Sequence, residues 1–102
     1  MTDFQKLREE LEKIKKNPAN EFKFKPIEKW MKEELGVVRI KKGTGSHVTF
    51  YHRVFEPRNG TGHFTIALKK NKILYKRNFL EYTYKDLKDL INLIEEEANR
   101  EK

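Results

Sequence analysis

A histidine that follows a glycine turn, with cations on both sides of it, has the clearest chemical potential in this sequence. The segment reads Gly43-Thr44-Gly45-Ser46-His47-Val48-Thr49-Phe50-Tyr51-His52. An ordinary imidazole has a pKa of about 6.5, so near neutrality it can accept or donate a proton. Glycine lets a bulky anion come close to the backbone. These residue types favour work on a phosphodiester, although a lone strand histidine most often takes part in no reaction.

The residues around His47 form a candidate binding site for a nucleic-acid strand. Lysines and arginines would neutralise phosphate charge, Gly45 would let the backbone approach, and Ser46 could hydrogen-bond a phosphate oxygen. Tyr51 could stack on an unpaired base or could simply pack across the strands. The predicted binding residues are Lys41, Lys42, Gly45, Ser46, Tyr51, Arg53, His63, Lys69 and Lys70.

The two other histidines are weaker candidates for chemistry. His63 could be a second proton-transfer group, but it could equally be a plain exposed strand residue. His52 falls on the opposite strand parity from His47, and we predict a structural role for it near the core. Glu56 is the only acid between residues 38 and 79, and its spacing from the histidines does not resemble a metal site. We therefore predict neither a metal nor a cofactor.

Charge is concentrated in the middle of the chain. The 102 residues carry a net charge of +7, and residues 38–79 hold ten basic side chains against one acid. Such clusters attract polyanions through counterion release, whereas a surface that serves solubility alone mixes both signs. The charge pattern favours a nucleic-acid partner, and an acidic protein remains the alternative.

Composition excludes several classes of protein. Without cysteine the chain has no disulfide, no thiolate nucleophile and no thiolate metal site. No stretch is long and apolar enough to span a membrane, and the first residues lack the apolar run of a signal peptide. We expect a cytoplasmic protein of one domain, with no membrane partner.

Helical periodicity predicts three helices. The first runs from about Asp3 to Lys16, with Thr2 and Gln5 at capping-box spacing, and Asn17-Pro18 ends it. A second helix begins near Pro26 and ends at Gly36. The last helix is predicted to begin at Thr83, because Thr83 and Asp86 also have capping-box spacing.

Alternating residues predict three strands between the second and third helices. They cover residues 37–42, 46–55 and 63–69, and residues 73–82 show no clear period. Helices and strands are segregated along the chain, which predicts an α+β domain. Helices should cover the face that carries Val48, Phe50, Val54, Phe64, Ile66 and Leu68. The opposite face should be open and basic, with His47, Thr49, Tyr51, Arg53, His63, Thr65 and Lys69 on it.

The run Gly45-Ser46-His47-Val48-Thr49-Phe50-Tyr51-His52, placed after Leu35-Gly36-Val37, resembles the HicA family of mRNA interferase toxins. Asn17-Pro18-Ala19-Asn20 is similar to the entry of the family's first helix, and His63-Phe64-Thr65-Ile66-Ala67-Leu68 is similar to its third strand. The resemblance covers about residues 17–98. Ala67 departs from the proline that often follows Thr-Ile in the family, and residues 73–82 are longer than its usual loop.

The resemblance implies a fold, an activity and a partner. The fold would be α-β-β-β-α, similar to a double-stranded-RNA-binding domain: a three-stranded antiparallel sheet covered on one face by helices, with an additional N-terminal helix. Residues 1–17 would be that helical extension and residues 18–102 the HicA-like domain. The active-site histidine would be His47, the substrate mRNA, and the inhibitor a HicB-type antitoxin. The free toxin is expected to be a monomer.

Two other functions remain open from the sequence. A domain of the same fold could bind RNA through its shape and 2′-hydroxyl groups without cleaving it. Binding to operator DNA ranks last, because no helix-turn-helix pattern is recognisable. Loss of cleavage with retained binding in a His47→Ala variant would favour the enzyme over the non-catalytic binder.

Overall fold

The fold is α+β, with helices packed on one face of a three-stranded antiparallel sheet. This computed structural model describes residues 3–42 and 47–101. The elements in chain order are α1 (Phe4–Lys16), β1 (Glu21–Lys23), α2 (Lys25–Leu35), β2 (Val38–Lys42), β3 (His47–Tyr51), a 3₁₀ turn (Arg53–Phe55), α3 (Glu56–Asn59), β4 (His63–Ala67), β5 (Ile73–Tyr75), α4 (Lys76–Asn78), a π-helical turn (Phe79–Thr83) and α5 (Tyr84–Arg100).

The first two helices begin and end at local signals. Asp3 caps α1, since its carboxylate accepts the backbone N–H of Lys6 at 3.0 Å, and α1 ends at Asn17. This is a single N-cap bond; the predicted capping box includes Thr2, which lies outside the described residues. Pro26 lies in the first turn of α2, and Gly36 ends that helix in the left-handed conformation with φ +71°. Both ends of α2 agree with the prediction.

The main sheet has the strand order β2-β3-β4, and both pairings are antiparallel. His47 lies opposite Ala67, and Tyr51 lies opposite both His63 and Val38. A bulge interrupts β2 between Arg39 and Lys41. A second sheet of two strands joins β1 to β5, in which Phe22 pairs with Leu74. Alternation in residues 73–82 did not predict β5, whose partner β1 is about 50 residues away along the chain.

The central strand is shorter than predicted, and this corrects the positions of Arg53 and Val54. β3 ends at Tyr51 because the side chain of His52 accepts the N–H of Val54 and starts a 3₁₀ turn. Glu56-Pro57 then begins the short helix α3, in which proline suits the first turn. Neither Arg53 nor Val54 therefore belongs to the sheet. The predicted alternation is confirmed for residues 47–51, and the predicted strand is too long at its C-terminal end.

The C-terminal helical segment also differs from the prediction. Helical structure is already present at Lys76 and continues through a π-helical turn into α5. Thr83 has helical backbone angles, makes no capping hydrogen bond and is only 1% exposed. The predicted N-cap at Thr83 is therefore wrong. Its capping-box spacing with Asp86 has no structural counterpart.

One hydrophobic core joins the sheet to the helices. Val48, Phe50, Phe64, Ile66 and Leu68 are buried, as predicted for the covered face. They cluster with apolar residues of the helices, namely Leu7, Leu11, Ile27, Met31, Leu35, Leu87, Leu90 and Ile91. Over residues 3–42 and 47–101, no helix is both long enough and apolar enough to cross a membrane.

Candidate functional site

His47 lies at the start of the central strand, on the sheet face opposite the core. The burial pattern of β3 alternates, with His47 exposed, Val48 and Phe50 buried, and Thr49 and Tyr51 half-buried. On the neighbouring strand His63 and Thr65 are exposed. We call this the open face. The sequence predicted it because a period of two assigns every second side chain to one side, whatever the sheet later packs against.

A compact polar cluster occupies the other end of the open face from His47. The Tyr51 hydroxyl donates a hydrogen bond to the Glu56 carboxylate, which raises the pKa of Tyr51, and partial burial adds to this rise. The His63 ring meets the Tyr51 ring edge-on, with 6.2 Å between centroids. Sequence reasoning did not assign Glu56 to this cluster. The fold brings it there because α3 turns the chain back beneath Tyr51.

The register separates the two histidines of the open face. His47 pairs with Ala67, whereas His63 pairs with Tyr51, four residues farther along β3. At about 3.4 Å per residue this is a separation of about 14 Å. Two groups that transfer protons on one phosphodiester must both come within hydrogen-bond distance of it. The register therefore argues against His63 as the second proton-transfer group for His47, although that role is still untested.

Arg53 also lies away from His47, which corrects its predicted place on the open face. Its guanidinium forms an ion pair with Glu97 of α5, and the hydrogen bond to Glu97 raises the pKa of Arg53. Arg53 and Glu97 line a groove of about 1100 Å³ between residues 53–60 and α5. Arg53 does not lie on the open face, because β3 ends two residues before it.

Lysines beyond the end of β4 lie toward the His47 end of the sheet. Lys69, Lys70 and Lys72 surround the turn from β4 to β5, and all three are exposed. Lys70 and Asn71 adopt positive φ angles of 51° and 60°, which residues other than glycine seldom do. A hydrogen bond to Tyr75 raises the pKa of Lys69. Because Ala67 pairs with His47, this turn follows shortly after the residue opposite His47.

Four of the predicted binding residues, Lys41, Lys42, Gly45 and Ser46, precede His47 in the sequence. In β2, Lys41 pairs with Thr49 and Lys42 pairs with Val48. Gly45 and Ser46 lie outside the described residues, so their predicted roles in admitting and hydrogen-bonding phosphate remain predictions.

The arginines of the basic middle segment are paired with acids from the flanks. Arg39 bonds Glu28 of α2 through Nε at 2.8 Å, and Arg58 bonds Asp89 of α5 at 2.9 Å. Arg53 pairs with Glu97, and Arg77 with Glu81. Every arginine between residues 38 and 79 thus has an acidic partner. The charge available to a polyanion is therefore carried mainly by lysines.

His52 has the structural role predicted for it. Its Nδ1 accepts the N–H of Val54 at 3.1 Å, and its ring also hydrogen-bonds the carbonyl of Leu35. Burial lowers the pKa of His52, and the Leu35 carbonyl opposes that shift only in part. The neutral ring thus joins the end of α2 to the end of β3.

Two exposed aliphatic side chains on the edge strand were not anticipated. Val38 is 48% exposed and Ile40 is 46% exposed. Because Val38 pairs with Tyr51, it belongs to the open face, which is therefore less polar than the sequence suggested. Both lie inside an alternating strand, and only the strand order shows that β2 is an edge.

Chemically, the open face offers an exposed imidazole at one end and a Tyr51–Glu56–His63 cluster at the other. Within the described part of the chain, no three His, Asp or Glu side chains are grouped as a metal ion would require. The chain matches no family model, no curated protein and no solved structure in the comparisons made.

Proposed function

We propose that this chain is an RNA-cleaving toxin of HicA type in which His47 transfers the proton. The main elements α2, β2, β3, β4 and α5 follow one another in this order, with α3 between β3 and β4 and with β5 and α4 before α5. This order supports the proposed similarity to a double-stranded-RNA-binding domain. The observation that carries the proposal is the position of His47, exposed at the start of the central strand on the open face. An extended RNA strand could reach the ring there without any movement of the helices.

The proposed reaction needs one imidazole and the substrate's own 2′-hydroxyl. Neutral His47 would take the 2′-hydroxyl proton while the 2′ oxygen bonds to phosphorus. The bond from phosphorus to the 5′ oxygen then breaks, and the departing oxygen receives a proton from the His47 imidazolium or from water. The products are a 2′,3′-cyclic phosphate and a 5′-hydroxyl end. His63 has no part in this step, since it lies about 14 Å away along the sheet.

Lysines would supply the charge that holds the phosphate near His47. Lys70 and Lys72 are exposed on the turn that follows β4, and Lys69 lies beside them. Lys41 and Lys42 belong to β2, the neighbour of the His47 strand on the other side. Phosphate contacts of this kind supply affinity without sequence specificity, and binding should weaken as salt rises.

The first test is cleavage of a single-stranded RNA by the purified chain and by two histidine variants. His47→Ala should lower the cleavage rate at least about a hundredfold, because a positioned acid–base group contributes about that much or more. His63→Ala is the matched control, an exposed histidine on the same face, and should cleave like the parent. Both should retain RNA binding, and EDTA should leave the parent's rate unchanged. Equal cleavage by parent and His47→Ala would remove the proposed role.

The alternative is an RNA-binding module without catalysis. It is favoured by the register of the open face, which places His63 about 14 Å from His47 along the sheet. Under this alternative the parent chain binds RNA in a gel-shift assay but yields no cyclic phosphate ends. Detection of those ends from the parent, and not from His47→Ala, would exclude it.

A HicB-type antitoxin is the proposed protein partner. Expression of the chain alone in bacteria should arrest growth, and expression together with the neighbouring gene should restore it. The His47→Ala variant should not arrest growth at the same expression level. Normal growth with abundant parent protein would count against the toxin.

A further inference from the structure

The edge strand β2 carries two exposed β-branched side chains. Val38 and Ile40 are 48% and 46% exposed, and β2 pairs on one side only, with β3. Edge strands usually protect themselves with charged residues, proline or bulges, since unpaired backbone groups invite another strand. β2 has a bulge at Ile40, yet it keeps two aliphatic side chains in water. Exposed apolar groups on an open edge are typical of an interaction surface.

The backbone of β2 directs hydrogen-bonding groups toward its free side. The N–H of His52 donates to the carbonyl of Gly62 at 3.0 Å, so the adjacent pair Tyr51–His63 has amides that point away from each other. The amide of Tyr51 then faces β2, where Val38 is its partner. By the same alternation, the N–H and C=O of Arg39 point to the free side of β2.

At the opposite edge of the sheet, formed by β4, a loop bonds the outward backbone groups of the first residue. The outward N–H of His63 donates to Thr61 Oγ1 at 3.2 Å, and the His63 carbonyl accepts from Asn59 Nδ2 at 2.9 Å. The loop before β4 thereby satisfies the backbone at the start of that edge. Of the strands described, none pairs with the outer side of β2. The two edges therefore differ where each begins, since the loop bonds the outward groups of His63, whereas no such contact is present at Arg39 of β2 among the described residues.

The charge of β2 indicates which kind of strand could pair with it. β2 contains Arg39, Lys41 and Lys42 and no acid. Arg39 is paired with Glu28 of α2, so the cationic character of this edge rests on Lys41 and Lys42. A second copy of β2 would place cations against cations, which destabilises a strand pair. RNA would neutralise the cations, but its phosphates and sugars would neither cover two exposed aliphatic side chains nor pair with the backbone of an extended strand. An extended peptide with alternating acidic and apolar residues would neutralise the cations, cover the aliphatic side chains and hydrogen-bond the backbone.

We propose that β2 accepts an added strand from a protein partner whose side chains alternate between acidic and β-branched apolar. The partner's apolar side chains would cover Val38 and Ile40, and its backbone would bond the outward amide and carbonyl of Arg39. This mode of recognition takes its affinity from main-chain hydrogen bonds and its specificity from alternate side chains. The proposal does not depend on RNA cleavage, and its test measures binding alone.

The probe is a synthetic octapeptide of alternating glutamate and valine, acetylated at its N-terminus and amidated at its C-terminus. A peptide with lysine in place of glutamate is the charge control. In NMR titrations the acidic peptide should shift the amide signals of β2 and slow hydrogen exchange at Arg39 about tenfold or more. The lysine peptide should do neither. The rate of amide hydrogen exchange at Arg39 distinguishes two modes of binding. An added strand would protect this amide, whereas a peptide bound on the open face would leave it in contact with water.

The matching variants remove apolar contact but keep the strand. Val38→Thr with Ile40→Thr preserves β-branching. The double variant should weaken peptide binding about tenfold or more, because a methyl group of Val38 and an ethyl group of Ile40 are each replaced by a hydroxyl. Leu80→Thr is the control, since Leu80 is 47% exposed and lies in the helical segment. It should bind like the parent. The single variants replace the double variant if circular dichroism shows it to be unfolded.

Several results would overturn the proposal. They are equal binding of both peptides, equal binding by the parent and the threonine variants, and unchanged exchange at Arg39 on binding. Sedimentation showing that the chain pairs with itself through β2 would assign the edge to a second copy. Protection of the Val38 and Ile40 methyl groups by single-stranded RNA, with no peptide effect, would assign it to nucleic acid.

Discussion

A single glycine supports the polar cluster at the far end of the open face. Gly62 has φ +77°, and a Cβ atom built there would lie 2.7 Å from Tyr51 Cε2 and 2.8 Å from the carbonyl oxygen of His52. The loop thus packs directly against Tyr51, which in turn bonds Glu56. Gly60 has a similar φ of +83°, but nothing lies within 4 Å of the position of its Cβ. A side chain at Gly60 would meet only backbone strain, whereas a side chain at Gly62 would meet backbone strain and steric overlap.

Replacing Gly62 by alanine should destabilise the protein more than the same change at Gly60. Gly60→Ala should cost about 1 kcal/mol, since it meets only the left-handed backbone penalty. Gly62→Ala adds overlap with a backbone oxygen and should cost about 2–3 kcal/mol. Urea unfolding followed by the fluorescence of Trp30 measures both. Equal losses would show that the packing beneath Tyr51 is looser than described.

His52 is the histidine whose environment gives a definite dependence of stability on pH. Burial lowers its pKa in the folded chain, so the unfolded chain holds this proton more strongly. Its contribution to stability is therefore present above the unfolded pKa of about 6.5 and is lost as pH falls through the folded pKa.

The variant His52→Asn should remove that pH dependence. Asparagine keeps an acceptor for the Val54 N–H but does not titrate. The free energy of unfolding should fall less for the variant than for the parent as pH drops from 7 to 5. Urea unfolding at several pH values measures the difference. Parallel curves for the two proteins would contradict the role of His52 burial.

At the scale of elements, similar sequence signals had different outcomes. Thr2 with Gln5 and Thr83 with Asp86 both have capping-box spacing. The helix beside the first pair is capped by Asp3 instead, and Thr83 lies inside a helical segment that is already continuous from Lys76. Capping-box spacing is a local feature of the sequence. The last helical segment instead begins directly after β5, so its start depends on the pairing of β5 with β1.

Substitutions at the two sites should therefore differ in effect. Asp3→Ala should cost about 1 kcal/mol, because it leaves the Lys6 N–H without its acceptor. Thr83→Val keeps the shape of a buried side chain and removes no cap, so it should cost less than Asp3→Ala. Thermal and urea unfolding measure both changes. A larger loss at Thr83 would contradict this expectation and show that the buried hydroxyl itself stabilises the fold.

At the scale of the whole molecule, α1 belongs to the same core as the sheet. Leu7 and Leu11 are 3% and 2% exposed and cluster with the buried residues of the later elements. Arg8 bonds Glu95 at 2.7 Å and Asn92 at 2.8 Å, both on α5. Residues 1–17 are predicted to be an extension of residues 18–102, and stability measurements can test how separate the two parts are.

Leu11→Ala should lower the free energy of unfolding by about 2–4 kcal/mol, the usual cost of deleting a fully buried leucine side chain. The loss should appear in one cooperative transition, because α1 and the sheet share a core. Trp30 fluorescence and circular dichroism should report the same midpoint. If α1 were an autonomous extension, the Trp30 transition would remain at its parental midpoint while part of the helical signal was lost earlier.

The distribution of charge also changes when the chain folds. The sequence separates a basic middle from acidic C-terminal residues, and this separation favoured a polyanion partner. In the structure Glu97 and Asp89 fold back to pair with Arg53 and Arg58. Exposed pairs of this kind add little stability, but they remove two cations from the surface open to a partner. Linear charge counts cannot anticipate this, since the pairs join residues 31 or more positions apart.

The sequence alone determined which side of the sheet His47 faces and where α2 begins and ends. These features depend on a period of two and on residues such as Pro26 and Gly36, all of which act over a few positions. Only the tertiary structure decided that Arg53 leaves the sheet, that His63 lies about 14 Å from His47 along the sheet, and that Val38 lies on a free edge. The last two depend on which strands pair and in what register, for which a local pattern contains no information. The departure of Arg53 follows from the turn that His52 and Val54 form, which alternation alone does not reveal.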